Sequence, residues 1–403
     1  MKKSMIVAAM LAIVATGANA KSATDSATIA KNKPVFTVVK QNPITSIKDQ
    51  NRSGTCWAYS TLSYFESEIL KHTGKTYDLS EMFVANKTYM DRATMAVRMH
   101  GDVSFSQGGS AYDALYALQH YGIVPEGAMP APGTLTGDSL ANFGEFFDVM
   151  TPYVEAVAKS NAKKISSAWK SGLQGIIDSY IGKTPEKFTY QGKQYTPQSF
   201  CQSLGLNLDD YVTITSYTHH PMWSKFAVEV QDNWRWPLSY NVPMDDLCKI
   251  IDNAINNGYT IAWGGDVTED GFTRKGLGIA YDVKKVRSMA GTDADHWFKL
   301  SKDEKKEKFD SLGVNAPEVV PTQAMRQEAF DNWETTDDHG MHIYGIAKDQ
   351  NGKEYYMVKN SWGEYGDYKG TWYMTKAFVA YKTMDFMVNK NAIPKDIRKK
   401  LGI

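Results

Sequence analysis

Cys56 is the residue of this sequence that is best placed for covalent chemistry. It stands where a loop rich in Ser, Gly and Thr gives way to an amphipathic segment, in which Leu62, Phe65 and Ile69 recur at helical spacing. This pattern predicts a helix from Cys56 to about Lys71. The thiol would then lie at the helix N-terminus, where the partial positive charge favours thiolate over thiol. A thiolate at such a position is suited to nucleophilic attack on an acyl carbon.

A single cysteine before a helix is more often a small buried apolar residue than a nucleophile. Two further requirements must be met before Cys56 can be interpreted as a nucleophile. An acyl-transfer site needs a hydrogen-bond donor for the oxyanion, and Gln50, six residues upstream of Cys56, is a donor that could face the thiol. The site also needs a base that accepts the thiol proton. That base must come from elsewhere in the chain.

The best base in the sequence is His339, which stands at the head of a predicted strand. The next predicted strand ends just before Asn360. Antiparallel pairing of the two strands would bring His339 and Asn360 together, so that the amide oxygen accepts a hydrogen bond from the imidazole and fixes its tautomer. Trp362 could then shield this hydrogen bond from water.

His342 is a rival base in the same predicted strand, three residues after His339. Successive side chains of a strand point to opposite faces, so residues three apart cannot both face the site. The alternation therefore makes the choice between the two histidines exclusive.

Four motifs, taken together and in this order, resemble those of the papain-type cysteine peptidases. They are Gln50-x-x-Ser-Gly-x-Cys56-Trp, Gly108-Gly109 before a helix, Asp338-His339-Gly340, and Asn360-Ser361-Trp362-Gly363. The Asp-His-Gly match, with Gly345 six residues after His339, favours His339 over His342.

The resemblance implies a role for each matched residue. Cys56 would be the nucleophile, His339 the base and acid, and Asn360 the residue that orients the imidazole. Gln50 and the Cys56 backbone N–H would form the oxyanion hole. Gly108 and Gly109 would bind the substrate backbone, and Trp362 would cover the Asn–His pair. No metal or organic cofactor is needed for this chemistry, and the Cys and His positions show no metal-ligand spacing.

Two departures from papain resemble the bleomycin hydrolase and aminopeptidase C branch. His339 lies 283 residues after Cys56, whereas about 130–150 residues separate the two in papain-like enzymes. Ser53 and Ser106 stand where papain has a pair of structural cysteines. The branch implies an α+β, two-lobe papain-like fold, with a helical lobe, an antiparallel β-barrel-like lobe and a large, mostly helical insertion. We expect one peptidase domain over residues 21–403, with the inserted region at approximately 127–330.

The branch also implies an activity, the removal of N-terminal residues from peptides, and assembly into a hexameric chamber. In its familiar members a C-terminal arm carries the terminal carboxylate into the cleft, where it captures the substrate's amino group. Here only eight residues follow Lys395, ending at Ile403. If Ile403 does not reach Cys56, endopeptidase activity becomes an alternative. An inactive peptide-binding homologue and a cysteine-dependent transferase or amidase on the same fold are the others.

Composition and the N-terminus bound the compartment and the partners. The 403 residues carry 45 Lys and Arg against 45 Asp and Glu, and this formal neutrality argues against nucleic acid as a partner. Residues 1–20 read as a signal peptide, with a basic start, an apolar stretch and Ala18-Asn19-Ala20 as a cleavage site. We therefore expect export, to the periplasm or the medium if the source is bacterial, and no membrane span after cleavage. Of the three cysteines, Cys201 and Cys248 could pair.

Several further elements frame these motifs. A helix capped by Ser80, a helix after Ser110 and a helix from Pro243 are predicted from their caps and apolar periodicity. One long helix is predicted over about 153–181, with a buried stripe that includes Ile165 and Leu173.

Overall fold

The structure is a computed structural model that describes residues 33–133, 140–289, 299 and 301–403. The predicted signal peptide, residues 1–20, lies outside the described residues. The chain contains both helices and strands, and the α+β class predicted from the sequence is the one observed.

The described helices are α1 (Cys56–Thr73), α2 (Glu81–Arg98), α3 (Ala111–His120), α4 (Gly144–Ala158), α5 (Ala168–Tyr180), α6 (Pro197–Ser203), α7 (Met244–Asn256), α8 (Val283–Met289), α9 (Lys302–Leu312), α10 (Gln323–Asp331), α11 (Lys376–Lys382) and α12 (Lys395–Leu401). The described strands are β1 (Thr37–Gln41), β2 (Phe188–Tyr190), β3 (Lys193–Tyr195), β4 (Tyr211–Thr215), β5 (Lys225–Phe226), β6 (Ser239–Asn241), β7 (Ile261–Gly265), β8 (Phe272–Thr273), β9 (Leu277–Gly278), β10 (His339–Lys348), β11 (Glu354–Lys359), β12 (Thr371–Thr375) and β13 (Thr383–Asn389).

Helix α1 is the centre of the helical lobe and is buried along most of its length. Gly74 ends it in the left-handed conformation (φ 70°), and its N–H donates to the carbonyl of Leu70. Helix α2 begins at the predicted cap, because the Ser80 hydroxyl accepts from the Phe83 N–H at 3.1 Å. The two helices and α3 share one hydrophobic cluster that excludes water from the back of α1.

A mainly antiparallel sheet forms the second lobe. Its strands follow the order β5-β6-β4-β13-β7-β10-β11-β12-β9-β8, and β1 also pairs with β10. Strand β10 is central, flanked by β7 and β11, with His339 opposite Gly265 and His342 opposite Lys359. The predicted antiparallel pairing of the strand that begins at His339 with the strand that ends just before Asn360 is therefore confirmed.

The two lobes meet where α1 lies against β10. Gly340 makes this approach possible, since a Cβ at that position would lie 2.6 Å from Ser60 Oγ and 3.2 Å from Trp57 Cα. The glycine after His339 thus lets the first turn of α1 come within contact distance of the strand that carries the histidine.

The prediction of one long helix over about 153–181 is wrong. The segment forms α4 and α5, which are separated by residues 159–167. The linking residues are mostly Lys, Ser and Asn, and the hydroxyls of Ser160 and Ser166 accept bonds from nearby backbone N–H groups. Such local bonds compete with helical ones. Ile165, expected in the buried stripe, is 41% exposed, whereas Leu173 is fully buried.

The region predicted as an insertion, about 127–330, contains both helices and strands. It supplies α4 to α9, most of α10 and strands β2 to β9, and its strands β4, β6 and β7 belong to the central sheet. The part of this region nearest the site is therefore continuous with the second lobe. Within the described part of the chain, no helix is long and apolar enough to cross a membrane.

Candidate active site

Cys56 and His339 line one cleft between the two lobes. Cys56 is the first residue of α1, as predicted, and His339 is the first residue of β10. The cleft has a volume of about 590 Å³, and its walls also include Gln50, Gly109 and Trp362. All five of these residues come from the predicted motifs, so the fold brings distant sequence positions to one cavity.

The imidazole of His339 is held by the predicted partner. Its Nε2 lies 2.8 Å from the Asn360 Oδ1, and both residues are buried. The Asn360 oxygen also accepts from the Ser361 N–H at 2.8 Å, which fixes the amide orientation. The Trp362 ring lies 4.9 Å from the His339 ring. Nε2 is therefore the protonated nitrogen of a neutral imidazole, and Nδ1 is left as the basic atom.

Gln50 is oriented by a residue that the sequence reasoning did not use. The Ser361 hydroxyl donates to Gln50 Oε1 at 2.6 Å, and the Gln50 N–H donates to the Ser361 carbonyl at 2.8 Å. With its oxygen engaged, the Gln50 amide presents Nε2 as the donor available to the cleft. The only signal in the sequence was the position of Ser361 directly after Asn360.

The surroundings of Cys56 act on the ionisation of its thiol in both directions. Burial raises the pKa of the Cys56 thiol to about 11, and the nearby carboxylates of Asp337 and Asp232 add to this, while hydrogen bonds from the backbone of Gly340 and Trp57 act in the opposite direction. Burial also lowers the pKa of His339 to about 4, although its bond to Asn360 raises it. Desolvation thus acts against the thiolate that the helix N-terminus predicts, because burial disfavours the charged form of each group.

His342 lies on the other face of β10, as the alternation requires. It is fully buried, and its Nδ1 is 2.9 Å from the Ser63 hydroxyl on α1. Burial, and secondarily the charge of Lys359, hold the pKa of His342 well below its usual range. This histidine packs inside the protein and faces away from the cleft that contains Cys56.

Gly108 and Gly109 line the cleft, but Gly108 is already contacted by the protein itself. Its carbonyl accepts from Arg92 Nη1 at 2.6 Å, and a Cβ at Gly108 would lie 1.8 Å from an Asp232 carboxylate oxygen. The Asp232 side chain thus occupies the space that the missing Cβ leaves open. Gly109 also lines the cleft, and a Cβ there would lie 2.9 Å from the Trp57 ring.

A group of carboxylates lines the cleft. Besides Asp338 of the Asp-His-Gly motif, its walls include Asp232, Asp337 and Asp385, which come from three separate parts of the chain and which no motif indicated. Burial is the main cause that raises the pKa of Asp337 well above its usual range and that of Asp385 to about 6. Only the position of Asp337, two residues before His339, could have suggested one member.

Cys201, Cys248, His219 and His220 are not among the residues that line this cleft. Cys201 and Cys248 are both free thiols, so the open question of their pairing is answered in the negative. His219 and His220 both bond to the carboxylate of Glu229, at 3.0 and 2.8 Å, and these three side chains satisfy one another directly.

Comparison with known proteins places these features in a family context. The chain matches the sequence profile of the Peptidase C1-like family over residues 2–316 and 318–402. It is 23% identical to aminopeptidase G of Lactobacillus delbrueckii subsp. lactis, over 89% of this chain and 84% of that protein. It is also 23% identical to aminopeptidase C of Lactobacillus helveticus, over 90% and 85%. Bleomycin hydrolase of Rattus norvegicus is 21% identical, over 92% and 86%.

Among solved structures, the crystal structure of PepW from Lactobacillus rhamnosis HN001 is similar to this chain. The two superpose with a TM-score of 0.68 at 19% sequence identity, covering 94% of this chain and 86% of that one. At this identity the likeness bears on the fold, and it agrees with the two-lobe arrangement described above.

Proposed function

The chain belongs to the Peptidase C1-like family, in the branch of aminopeptidase C and bleomycin hydrolase, and from that premise we propose that it is a cysteine aminopeptidase. Its substrates are peptides with a free N-terminus, and its catalytic residues are Cys56, His339 and Asn360. The observation that carries the proposal is the 2.8 Å contact between His339 Nε2 and Asn360 Oδ1 in the cleft that also holds Cys56.

The reaction begins with the Cys56 thiol and the His339 imidazole. His339 Nδ1 accepts the thiol proton as the Cys56 sulfur attacks the carbonyl carbon of the scissile bond. The resulting imidazolium and oxyanion have opposite charges and form within one enclosed cleft, where their attraction is strong. Asn360 accepts from Nε2 throughout and keeps the ring in position.

The tetrahedral intermediate places a negative charge on the former carbonyl oxygen. Gln50 Nε2 and the Cys56 backbone N–H are the donors for this oxyanion, since the first N–H groups of a helix have no partner within the helix. The C–N bond then breaks, and the imidazolium of His339 gives its proton to the departing amine. The products of this step are a shortened peptide and a thioester on Cys56.

Water completes the cycle. His339 Nδ1 takes a proton from water as its oxygen attacks the thioester carbon, and the same proton returns to the Cys56 sulfur when the C–S bond breaks. The released acid is the original N-terminal residue. The chemistry is a hydrolysis, so no oxidant, reductant or further group takes part.

A pair of matched substrates tests this function. We expect leucyl-7-amido-4-methylcoumarin to be cleaved at least about tenfold faster than its N-acetylated form, and Cys56→Ala to abolish both reactions because the nucleophile is lost. The Cys201→Ala variant is the control for removal of a thiol outside the cleft. Equal cleavage of free and blocked substrates by the intact protein would instead assign it as an endopeptidase, and turnover that survives in Cys56→Ala would rule out the thiol mechanism.

Two further features belong to the proposal by resemblance. We propose that residues 1–20 direct export and are then removed, so that N-terminal sequencing of the protein recovered from outside the cytoplasm begins at Lys21. We propose in addition that the protein assembles as a hexamer, which light scattering on the purified protein measures directly. A retained Met1 or a monomeric mass would contradict the respective proposal.

A further inference from the structure

The cleft of Cys56 is unusually acidic for its size. Asp232 comes from the loop before β6, Asp337 from the segment before β10, and Asp385 from β13. Asp337 and Asp232 both lie near enough to Cys56 to oppose ionisation of its thiol. Asp338 lines the cleft as well. Carboxyl groups that oppose ionisation of a nucleophile do not assist its activation, so a role in binding is the better explanation.

The protein supplies only part of the charge compensation that this group needs. Asp232 is paired with Arg92 at 3.1 Å and accepts from the Ser106 hydroxyl at 3.3 Å. Asp385 accepts from the Ser239 hydroxyl at 3.4 Å. For Asp337, neither a hydrogen bond nor an ion pair to any other described residue is found.

Asp337 is therefore the acidic group that points to a ligand. Asp337 is only partly exposed and lines the cleft, with the charges of Asp232 and Asp385 close by. A carboxylate that is largely shielded from water, has like-charged neighbours and accepts no hydrogen bond from the protein is unfavourable in its ionised form. A cationic donor that entered the cleft would relieve both the missing hydrogen bonds and the repulsion.

The arrangement favours an ammonium group over a metal ion. Within the described part of the chain, the cluster whose ligand atoms all lie within 4.8 Å of one another is His219, His220 and Glu229, and no three of the cleft aspartates form such a cluster. A small ion that needs several close oxygen ligands is therefore less well served here. The cleft carboxylates can surround the larger, three-donor head of a primary ammonium.

Asp232 also limits how far a peptide can extend over Gly108. Its carboxylate fills the space next to Gly108. The loop that carries it is fixed by a bond from Asn233 Nδ2 to the Val228 carbonyl at 2.9 Å, and by the bonds of Glu229 to the two histidines. A chain that continued across Gly108 would have to displace this held loop, so a peptide whose N-terminus lies within the cleft fits better.

We propose that Asp337, with Asp385 and Asp232, binds the α-ammonium group at the N-terminus of the peptide substrate and so sets the aminopeptidase register of the cleft. This assignment rests on the proposed function and adds to it the group that recognises the free amine. Ile403, by contrast, packs against the hydrophobic cluster of the sheet and is not among the residues that line the cleft.

The test compares three fluorogenic substrates on the intact protein and on Asp337→Asn and Asp385→Asn, which keep the side-chain shape. Leucyl-amidomethylcoumarin carries an α-ammonium, its N-acetyl form carries none, and N-acetyl-lysyl-amidomethylcoumarin carries only a side-chain ammonium. We expect Asp337→Asn to lower kcat/KM for the first substrate by about 10- to 100-fold, the loss of one charge-assisted hydrogen bond. The other two substrates should change less than about threefold, within the range of a surface effect.

Controls separate this loss from a general defect. Asp331→Asn removes the same charge from α10, at an exposed position, and should leave all three rates unchanged. Alkylation of Cys56 by iodoacetamide, which carries no charge, should be no slower in Asp337→Asn, because the nucleophile and its base are intact and one charge that opposes ionisation of the thiol is removed. Removal of residues 402–403 should leave the ratio of free to blocked substrate as it is.

Each other result overturns the assignment in a recognisable way. An unchanged free-to-blocked ratio in both aspartate variants places the amine anchor elsewhere, and a collapse of that ratio on removal of residues 402–403 places it at the chain terminus. If the aspartate variants lose kcat/KM equally for the N-acetyl-lysyl substrate, the carboxylates bind a basic side chain. If the intact protein cleaves neither free nor blocked substrate and Cys56 resists alkylation, it is the proposed function that fails.

Discussion

The bond between Ser361 and Gln50 gives the sharpest quantitative prediction from the site. Ser361 does not face the substrate in the proposed mechanism, and it acts by holding the Gln50 oxygen at 2.6 Å so that the amide nitrogen faces the cleft. The Ser361→Ala variant removes only this hydroxyl. The backbone bond from the Gln50 N–H to the Ser361 carbonyl, at 2.8 Å, is kept.

The expected loss follows from the net value of one such bond. A hydrogen bond between neutral groups contributes about 0.5–1.5 kcal/mol, which corresponds to a fall in kcat of roughly 2- to 12-fold if the freed amide samples both orientations. Gln50→Ala removes the oxyanion donor itself and should cost about 100- to 1000-fold. Because Ser361 acts only through Gln50, adding Ser361→Ala to Gln50→Ala should cost nothing more in kcat.

The assay is steady-state hydrolysis of a free-amine peptide substrate by the four proteins of this double-mutant cycle. Ser53→Ala is the matched control, because the Ser53 hydroxyl is also buried but donates to the Gln50 backbone carbonyl, at 2.7 Å. It should lower stability as much as Ser361→Ala does, yet leave kcat near that of the intact protein. Urea unfolding of all variants separates the two effects.

Two results would refute the reasoning about Ser361. If Ser361→Ala lowers kcat equally in the presence and absence of the Gln50 side chain, its role does not pass through that amide. If Gln50→Ala itself leaves kcat within a factor of two, the amide is not an oxyanion donor, and its orientation has no bearing on the rate.

Three further predictions concern the histidines and the core. His339→Gln should lower kcat/KM by about 100- to 10,000-fold because the base is lost, whereas His342→Gln should remain active. If His342→Gln were inactive and His339→Gln active, His342 would be the base. Burial depresses the pKa values of both histidines, His339 to about 4. As the pH falls below about 6.5, the histidines become protonated in the unfolded chain but stay neutral in the folded protein. The free energy of unfolding therefore decreases as the pH falls. In urea unfolding between pH 6.5 and 4.5, His342→Gln should reduce the slope of the free energy of unfolding against pH by up to about 1.4 kcal/mol per pH unit. An unchanged slope would contradict the conclusion that His342 is buried in its neutral form. Arg326 is buried and donates to backbone carbonyls at 216, 380, 381 and 383, so Arg326→Met should destabilise the fold by about 3 kcal/mol in the same assay; a change below about 0.5 kcal/mol would show that these carbonyls find other donors.

Local sequence pattern was enough for the elements that carry the site. Apolar residues at helical spacing after Cys56 predicted α1. Alternating apolar and polar residues on either side of a turn predicted the strand that begins at His339 and the strand that ends just before Asn360. These signals are reliable because each depends on contacts between near neighbours in the chain. The opposite faces of His339 and His342 follow from the same two-residue period.

The apolar periodicity of the sequence was a less reliable guide where local hydrogen bonds from side chains decide where a helix ends. The segment 153–181 has apolar residues at helical spacing, and the prediction joined them into one helix. Serine hydroxyls at 160 and 166 instead bond to nearby backbone N–H groups at the break between α4 and α5. The periodicity shows which residues can share a face, but it does not show where a helix stops.

The sequence by itself determined the identity of the reacting groups, and only the tertiary structure decided their surroundings. The spacing of Cys56, His339 and Asn360 in recognisable motifs predicted which side chains meet. The convergence of Asp232, Asp337 and Asp385 on the same cleft depends on the order and register of distant strands and loops, which no local spacing encodes. The environment of the Cys56 thiol arises in the same way: the helix N-terminus favours the thiolate, whereas burial between the two lobes raises the pKa of the thiol. Desolvation depends on everything that packs around a group, so it is fixed only when the whole chain has folded.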